Sequence, residues 1–141
     1  MKIKDIMSKR LESIDAEATL MQAAERMRDL DTGALPVEWS GKTKGIITDR
    51  DIVIRCLAEG LDPKATKVGR CATEQVLFCY TDEDIKAAAE KMEQYQIRRL
   101  LVRDRNEVAV GVLSLGDLAT HGDRKGLAGE VLEHVSMKLA A

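Results

Sequence analysis

The chain has 141 residues, 45% hydrophobic and 33% charged, values that exclude disorder, collagen-like repeats and fibrous coiled coil. Its 22 Lys and Arg are matched by 24 Asp and Glu for a net charge of −2, and aromatic residues make up 3%, which leaves neither a basic stripe for duplexes nor a stacking platform for single strands; no nucleic-acid partner is expected. Three cysteines (Cys56, Cys71 and Cys79) without a CxxC pair give no disulfide framework.

In chain order, the opening Met1-Lys2-Ile3-Lys4-Asp5 carries charge with no apolar signal region behind it. No apolar run approaches the roughly 18–20 residues that a membrane span requires, so a cytoplasmic chain with no membrane partner is expected. Residues 3–7 predict a turn of helix and residues 11–14 a short strand. Leu20, Ala23, Ala24, Met27 and Leu30 then recur at helical spacing, with Thr19 and Gln22 placed as a capping box. Apolar runs at 34–37 and 45–47 flank Ser40-Gly41, a hairpin signal, and a second helix starts at Thr48. Residues 60–66, with Asp62-Pro63, read as a linker. The same order follows again. Residues 68–72 form a turn of helix and residues 76–80 a strand; Ile85, Ala88, Ala89, Met92 and Tyr95 mark a helix. Residues 100–103 and 108–113 form a hairpin around Arg105-Asn106, and a helix starts at Ser114. Beyond Gly122, Leu127, Val131, Val135 and Leu139 step by four, an amphipathic helix that should pack on the body or on a partner.

The two halves are one unit written twice. A shift of 65 residues places Leu20 on Ile85, Glu25 on Glu90, Met27 on Met92, Leu35 on Leu100 and Val37 on Val102; after one inserted residue, Gly45 falls on Gly111 and Asp51 on Asp117. The expected organisation is a first repeat at 1–60, a linker at 61–66, a second repeat at 67–120 and a C-terminal amphipathic helix at 121–141. One β-α-β-β-α unit cannot cover both faces of its sheet. The fold class expected is therefore α+β, two pseudo-twofold-related β-α-β-β-α repeats packed sheet to sheet, with two equivalent clefts near the strand ends.

The segments Gly45-Ile46-Ile47-Thr48-Asp49-Arg50-Asp51 and Gly111-Val112-Leu113-Ser114-Leu115-Gly116-Asp117 share one pattern: Gly, two apolar residues, a hydroxyl, two variable residues and Asp. A strand that runs straight into a helix offers free N–H groups and a hydroxyl to a phosphate, and the acid one turn later is suited to a ribose diol. Equally, Thr48-x-x-Asp51 and Ser114-x-x-Asp117 satisfy the capping box of helices that bind nothing. Both readings stand at this level.

These two segments, each closing a β-α-β hairpin, resemble a tandem pair of cystathionine-β-synthase (CBS) domains, or Bateman module, over about residues 1–120. The runs Thr48-Asp49-Arg50-Asp51-Ile52-Val53-Ile54-Arg55 and Ile97-Arg98-Arg99-Leu100-Leu101-Val102 resemble stand-alone bacterial CBS pairs of the hypoxic-response type. The resemblance implies a regulatory module, not an enzyme, that binds an adenosine-containing ligand (AMP, ADP, ATP, NAD(H) or S-adenosylmethionine) in the clefts between repeats. It further implies a homodimer, a flat four-repeat disc, and an effector protein that receives the signal. Thr48 and Ser114 would touch phosphate or ribose, and Asp51 and Asp117 would hold the ribose hydroxyls. The remaining lining falls on Gly33, Ala34, Pro36 and Val37 in the first copy and on Arg98, Arg99 and Leu100 in the second, with Arg50 assisting. The family's proline is kept at Pro36 but replaced by Leu101 in the second copy, and Gly33-Ala34, the counterparts of Arg98-Arg99, are uncharged, so one cleft suits a polyphosphate better than the other. A bland reading makes Arg98 and Arg99 a solvated pair beside Asp104 and Glu107.

Alternatives are a CBS module that only docks proteins, and a metal or redox sensor. Cys71, Cys79 and His121 are the candidate zinc ligands, but their spacing matches no finger or ribbon. Cys71 aligns with Ile6 and Cys79 with Ile14, positions of buried hydrophobes. His134 reads as a solvated residue. No Ser/His/Asp or Cys/His arrangement emerges, so no catalytic residue and no required cofactor are expected. Trp39, beside the first hairpin, reads as a cover for the turn or a subunit contact.

Overall fold

The computed structural model describes residues 1–9, 11–74, 77–121 and 125–137, with side chains except those of Lys125 and Ala128. Val76 and Leu139 of the expected strand and helix lie outside these residues. The fold is α+β, with two three-stranded sheets of the same order. A short helix α1 (Ile3–Ile6) precedes the first repeat. Strand β1 (Ile14–Asp15) then leads through α2 (Leu20–Leu30) to the parallel strand β2 (Ala34–Trp39), which turns back into antiparallel β3 (Lys42–Thr48). The helix after β3 begins as α3 (Asp49–Asp51) and continues with π-helical turns over Ile52–Leu57, where Ala58 N–H reaches back five residues to the Val53 carbonyl at 2.9 Å.

The second repeat retraces this path. After α4 (Val68–Cys71) come β4 (Phe78–Tyr80), α5 (Ile85–Tyr95), β5 (Arg99–Arg103), β6 (Ala109–Ser114) and α6 (Leu115–His121). A further helix, α7 (Lys125–Ser136), packs on α5 and α6. Both hairpins carry a bulge at equivalent places, after Val37 and after Val102. Helices α2 and α5 both end on a non-glycine residue in the left-handed region, Asp31 (φ 52°) and Gln96 (φ 53°). The expected capping box opens α2: Thr19 N–H donates to Gln22 Oε1 at 2.9 Å and Gln22 N–H to Thr19 Oγ1 at 3.2 Å.

The chain forms two compact units whose borders differ from those of the repeats: Met1–Leu11 with Leu77–Ala141, and Glu12–Val76. The leading helices account for this. Ile3 and Ile6 of α1 are buried in the core built by α5, β5, β6 and Val131 of α7, whereas Val68 and Cys71 of α4 are buried in the core built by α2, β2 and β3. Each leading segment also makes one backbone bridge to the last strand of the sheet on which it docks. Ser8 and Val112 exchange N–H···O bonds of 2.9 and 3.1 Å, and Thr73 and Ile46 exchange bonds of 2.9 and 3.0 Å.

These bridges explain the glycine that opens each motif. A Cβ at Gly45 would lie 2.6 Å from the Thr73 carbonyl oxygen, and one at Gly111 would lie 2.5 Å from that of Ser8. Only a residue without a side chain lets the crossing backbone approach. Trp39 lies over the same place in the Glu12–Val76 unit, within 2.8 Å of a Cβ built on Gly45 and 3.3 Å of one built on Gly69.

Candidate functional site

The two copies of the motif place their hydroxyl and acid identically. Thr48 ends β3 and Ser114 ends β6, and each caps the following helix. Asp51 N–H donates to Thr48 Oγ1 at 3.1 Å while Thr48 N–H donates to Asp51 Oδ2 at 3.0 Å. The second copy repeats this at 3.0 Å (Asp117 N–H to Ser114 Oγ) and 2.8 Å (Ser114 N–H to Asp117 Oδ2). The capping box is thus real in both halves. It does not use up either group. A hydroxyl that accepts a bond still has its own proton to donate, and a carboxylate has two oxygens with about four acceptor positions. Asp117 Oδ1 has no hydrogen-bond partner among the described residues, whereas Asp51 Oδ1 lies 3.7 Å from Arg55 Nε. Both acids are half-buried rather than turned into bulk water.

Sheet register sets the neighbours. Ala34 pairs with Thr48, and Arg99 pairs with Ser114. Asp49 N–H donates to the Gly33 carbonyl at 2.9 Å, and its equivalent, Leu115 N–H, donates to the Arg98 carbonyl at 2.9 Å. The same frame therefore presents Gly33, Ala34, Thr48 and Asp49 in one unit and Arg98, Arg99, Ser114 and Leu115 in the other. Val37 and Leu100 are fully buried in their cores and Pro36 is buried, so any contact from them to a ligand is made by backbone. Arg50 is exposed, and its backbone N–H donates to Asp49 Oδ1 at 2.8 Å.

The side chains make the two junctions chemically unlike. Arg98, Arg99 and Ser114 line a cavity of about 680 Å³ together with Leu115, Gly116, Ala119, Gly129 and Leu132. This size falls within the range of small-molecule sites. Neither guanidinium has a hydrogen-bond or ion-pair partner among the described residues, and Glu107 is instead held by Arg103 at 3.0 Å and by the Tyr80 hydroxyl at 2.6 Å. Arg98 and Arg99 are both exposed, and neither pairs with Asp104 or Glu107 among the described residues. In the other unit the Asp49 carboxylate fills the corresponding place: a Cβ on Gly33 would sit 2.9 Å from its Oδ2. Asp49, Leu115, Gly129 and Leu132 escaped sequence reasoning. Asp49 was visible only as a variable motif position, and the α7 residues lie outside the repeat.

Pro36 and Leu101 differ in backbone consequence too. Leu101 N–H donates to the Leu77 carbonyl at 3.2 Å, and the β4–β5 ladder has three pairs; Pro36 has no N–H, and the β1–β2 ladder has two.

The cysteines serve the cores. Cys56 and Cys71 are buried in the Glu12–Val76 unit and Cys79 is buried in the other. Burial pushes the Cys79 thiol up to about 12 and raises that of Cys71, so both favour the neutral thiol that suits a core position. His121 is exposed on α6, and no three His, Cys, Asp or Glu side chains gather as a metal site among the described residues. Among these residues no helix is long and apolar enough to cross a membrane.

Two β-α-β-β-α units, each closing on Gly, two apolar residues, a capping hydroxyl and a boxed Asp, define a tandem CBS-domain module. The CBS-domain family model matches residues 3–57 and 68–123, most of the sequence, and the chain belongs to that family. It is 34% identical to the CBS domain-containing protein YhcV of Bacillus subtilis over 134 residues, 95% of this chain and 94% of that protein. It also matches a crystal structure of Hypoxic Response Protein I with two coordinated zinc ions, at 34% identity and a TM-score of 0.74, over 86% of this chain and 98% of that one. The CBS domain protein PAE2072 from Pyrobaculum aerophilum, solved with AMP, shares the fold at 22% identity and a TM-score of 0.77, over 94% of this chain and 99% of that one.

Proposed function

We propose that the chain is a regulatory module that binds an adenosine nucleotide, AMP, ATP or NAD(H), and passes the signal on as a homodimer or by docking to an effector protein. The observation that carries this reading is the cavity lined by Ser114 and by Arg98 and Arg99, two arginines without a partner among the described residues, beside apolar walls. Arg98 and Arg99 supply charge-assisted donors to phosphate oxygens. Ser114 adds its hydroxyl proton, and Leu115, Ala119 and Leu132 offer an apolar surface to the base. Asp117, boxed to Ser114 through one oxygen, turns the other to the ribose hydroxyls. That a CBS protein of the same fold was solved with AMP supports the ligand class.

The test is thermal melting with AMP, ATP and NADH. A nucleotide present at 100 times its Kd adds about 2.7 kcal/mol of stability. Replacing Arg98 and Arg99 by Ala should weaken binding by about 100-fold or more, since hydrogen bonds to charged groups contribute roughly 1.5–3 kcal/mol each. Asp117→Asn keeps an amide oxygen for the cap but removes the anionic acceptor, so it separates ribose binding from helix capping. A second reading, a ligand-free docking module, is favoured by the closed boxes. It predicts no melting shift with any of the three nucleotides and unchanged behaviour of Asp117→Asn.

A further inference from the structure

The nucleotide cavity has a wall that the repeat does not provide. Gly129 and Leu132 of α7 line it opposite Arg98, Arg99 and Ser114, and α7 begins at Lys125, beyond the second family match. Leu132 is 49% exposed despite being a large apolar residue, and it lines this cavity. Around Gly129 there is open space: a Cβ built there meets nothing within 4 Å.

Helix α7 is also built to be conditional. Gly126 and Gly129 lower its intrinsic helicity, so it relies on docking. Val131 is fully buried in the core beside α5 and α6, with Leu127 and Val135 packed at its sides. Gln96 at the end of α5 holds the far end of the helix, its Nε2 donating to the carbonyls of His134 at 3.3 Å and Met137 at 3.2 Å.

We infer that α7 is coupled to the nucleotide site: a bound nucleotide touches Leu132 and the Gly129 backbone only while α7 is docked, and so drives docking, whereas at the empty site α7 is held by its Leu127–Val131–Val135 stripe and the Gln96 bonds alone. This inference rests on the proposed nucleotide reading. A ligand shifts a conformational equilibrium only by its differential contacts with the two states, and the cavity wall supplies those contacts. Coupling is reciprocal, so α7 must in turn raise nucleotide affinity.

The experiment is hydrogen exchange of the whole chain with and without ATP, and separately AMP, joined to Kd measurements on Leu132→Ala and Gly129→Leu. The expected result is increased protection of α7 amides with nucleotide and a Kd raised about tenfold by Leu132→Ala, as loss of part of a buried leucine implies. Gly129→Leu fills the cavity while improving the helix, so it should raise the melting temperature yet weaken nucleotide binding. That opposition places Gly129 in the cavity wall, and the exchange difference is what a merely structural α7 would not show. Nucleotide binding that Arg98→Ala/Arg99→Ala abolishes, with α7 exchange and both α7 variants' Kd unchanged, overturns the role of α7 and leaves the nucleotide reading intact. Absence of binding by ATP and AMP at millimolar concentration overturns both.

Discussion

The two strand–helix junctions share a frame and differ in charge. Around Ser114, two arginines without partners among the described residues line an open cavity; around Thr48, an aspartate carboxylate covers a glycine and the boxed acid is tied to Arg55. Backbone features recur almost bond for bond: the box, the bulge, the left-handed helix end and the bridge under the motif glycine. What duplication preserved is therefore the part that folds. What diverged is the handful of side chains around each hydroxyl: Arg98, Arg99 and Leu115 against Gly33, Ala34 and Asp49. An anion is favoured at the first of these junctions and opposed by the Asp49 carboxylate at the second, since like charges at close range repel. The helix after the junction differs as well, π-turned in one unit and covered by α7 in the other.

The largest effect should come from the glycines, which test whether the shared frame is as strict as the geometry states. Gly111→Ala sets a Cβ 2.5 Å from the carbonyl oxygen of Ser8, a residue held by two bridge hydrogen bonds, so the leading segment must shift. Overpacking of this kind costs about 1–3 kcal/mol. Gly45→Ala should cost more, because its Cβ meets both the Thr73 carbonyl and the rigid Trp39 ring, whereas the further neighbour of Gly111 is the flexible Met7 side chain. Urea unfolding of the two variants measures the difference. Equal and negligible costs would mean the crossing segments are not held where the bridges place them.

Much of this was legible in the amino-acid sequence, and the reasons are local. The repeat, the β-α-β-β-α order and the Thr19–Gln22 box depend on spacing and cap chemistry, which a single chain displays. Alignment of Cys71 with Ile6 and Cys79 with Ile14 foretold burial because a core position accepts any small apolar group. The choice of partner for each leading helix was not legible. Ile3/Ile6 and Val68/Cys71 present the same apolar spacing, and either pair fits either core. Nor does the pattern itself say why it opens on glycine, because the crossing backbone that requires Gly45 and Gly111 comes from a distant segment. In the site, Arg98 and Arg99 stood out by charge, but Asp49 over Gly33 depends on sheet register, and the α7 wall depends on tertiary packing that no spacing rule reports.

A middle-sized effect separates the boxed acids. Asp51→Ala and Asp117→Ala each remove one charge-assisted bond to a capping N–H and should cost about 1 kcal/mol. The Asp51 change should exceed the other by a few tenths, the usual worth of an exposed i,i+4 ion pair with Arg55. In 1 M NaCl the two costs should converge as that pair is screened. Thermal melts at low and high salt check this; a difference that persists in salt would place its origin in the helix that follows rather than in the pair.

The smallest effect is the one that has no counterpart in the Glu12–Val76 unit. His134 on α7 donates from Nδ1 to the Glu130 carbonyl at 2.8 Å, and Glu93 of α5 lies 4.0 Å away, with Glu130 and Glu133 on its own helix. The backbone bond first, and these carboxylates next, hold the imidazolium proton more tightly than in the unfolded chain. A group raised in this way stabilises the docked helix fully below its unfolded pKa, about 6.5, and loses that contribution as pH rises through the folded value. Amide protection of α7, corrected for intrinsic exchange, should therefore be modestly higher at pH 5.5 than at pH 8. Glu93→Gln should shrink the difference, and His134→Gln should abolish it while leaving the Gln96 bonds to the helix end in place. Protection that rises with pH instead would show that the carboxylates, not the imidazolium, govern how α7 sits on α5.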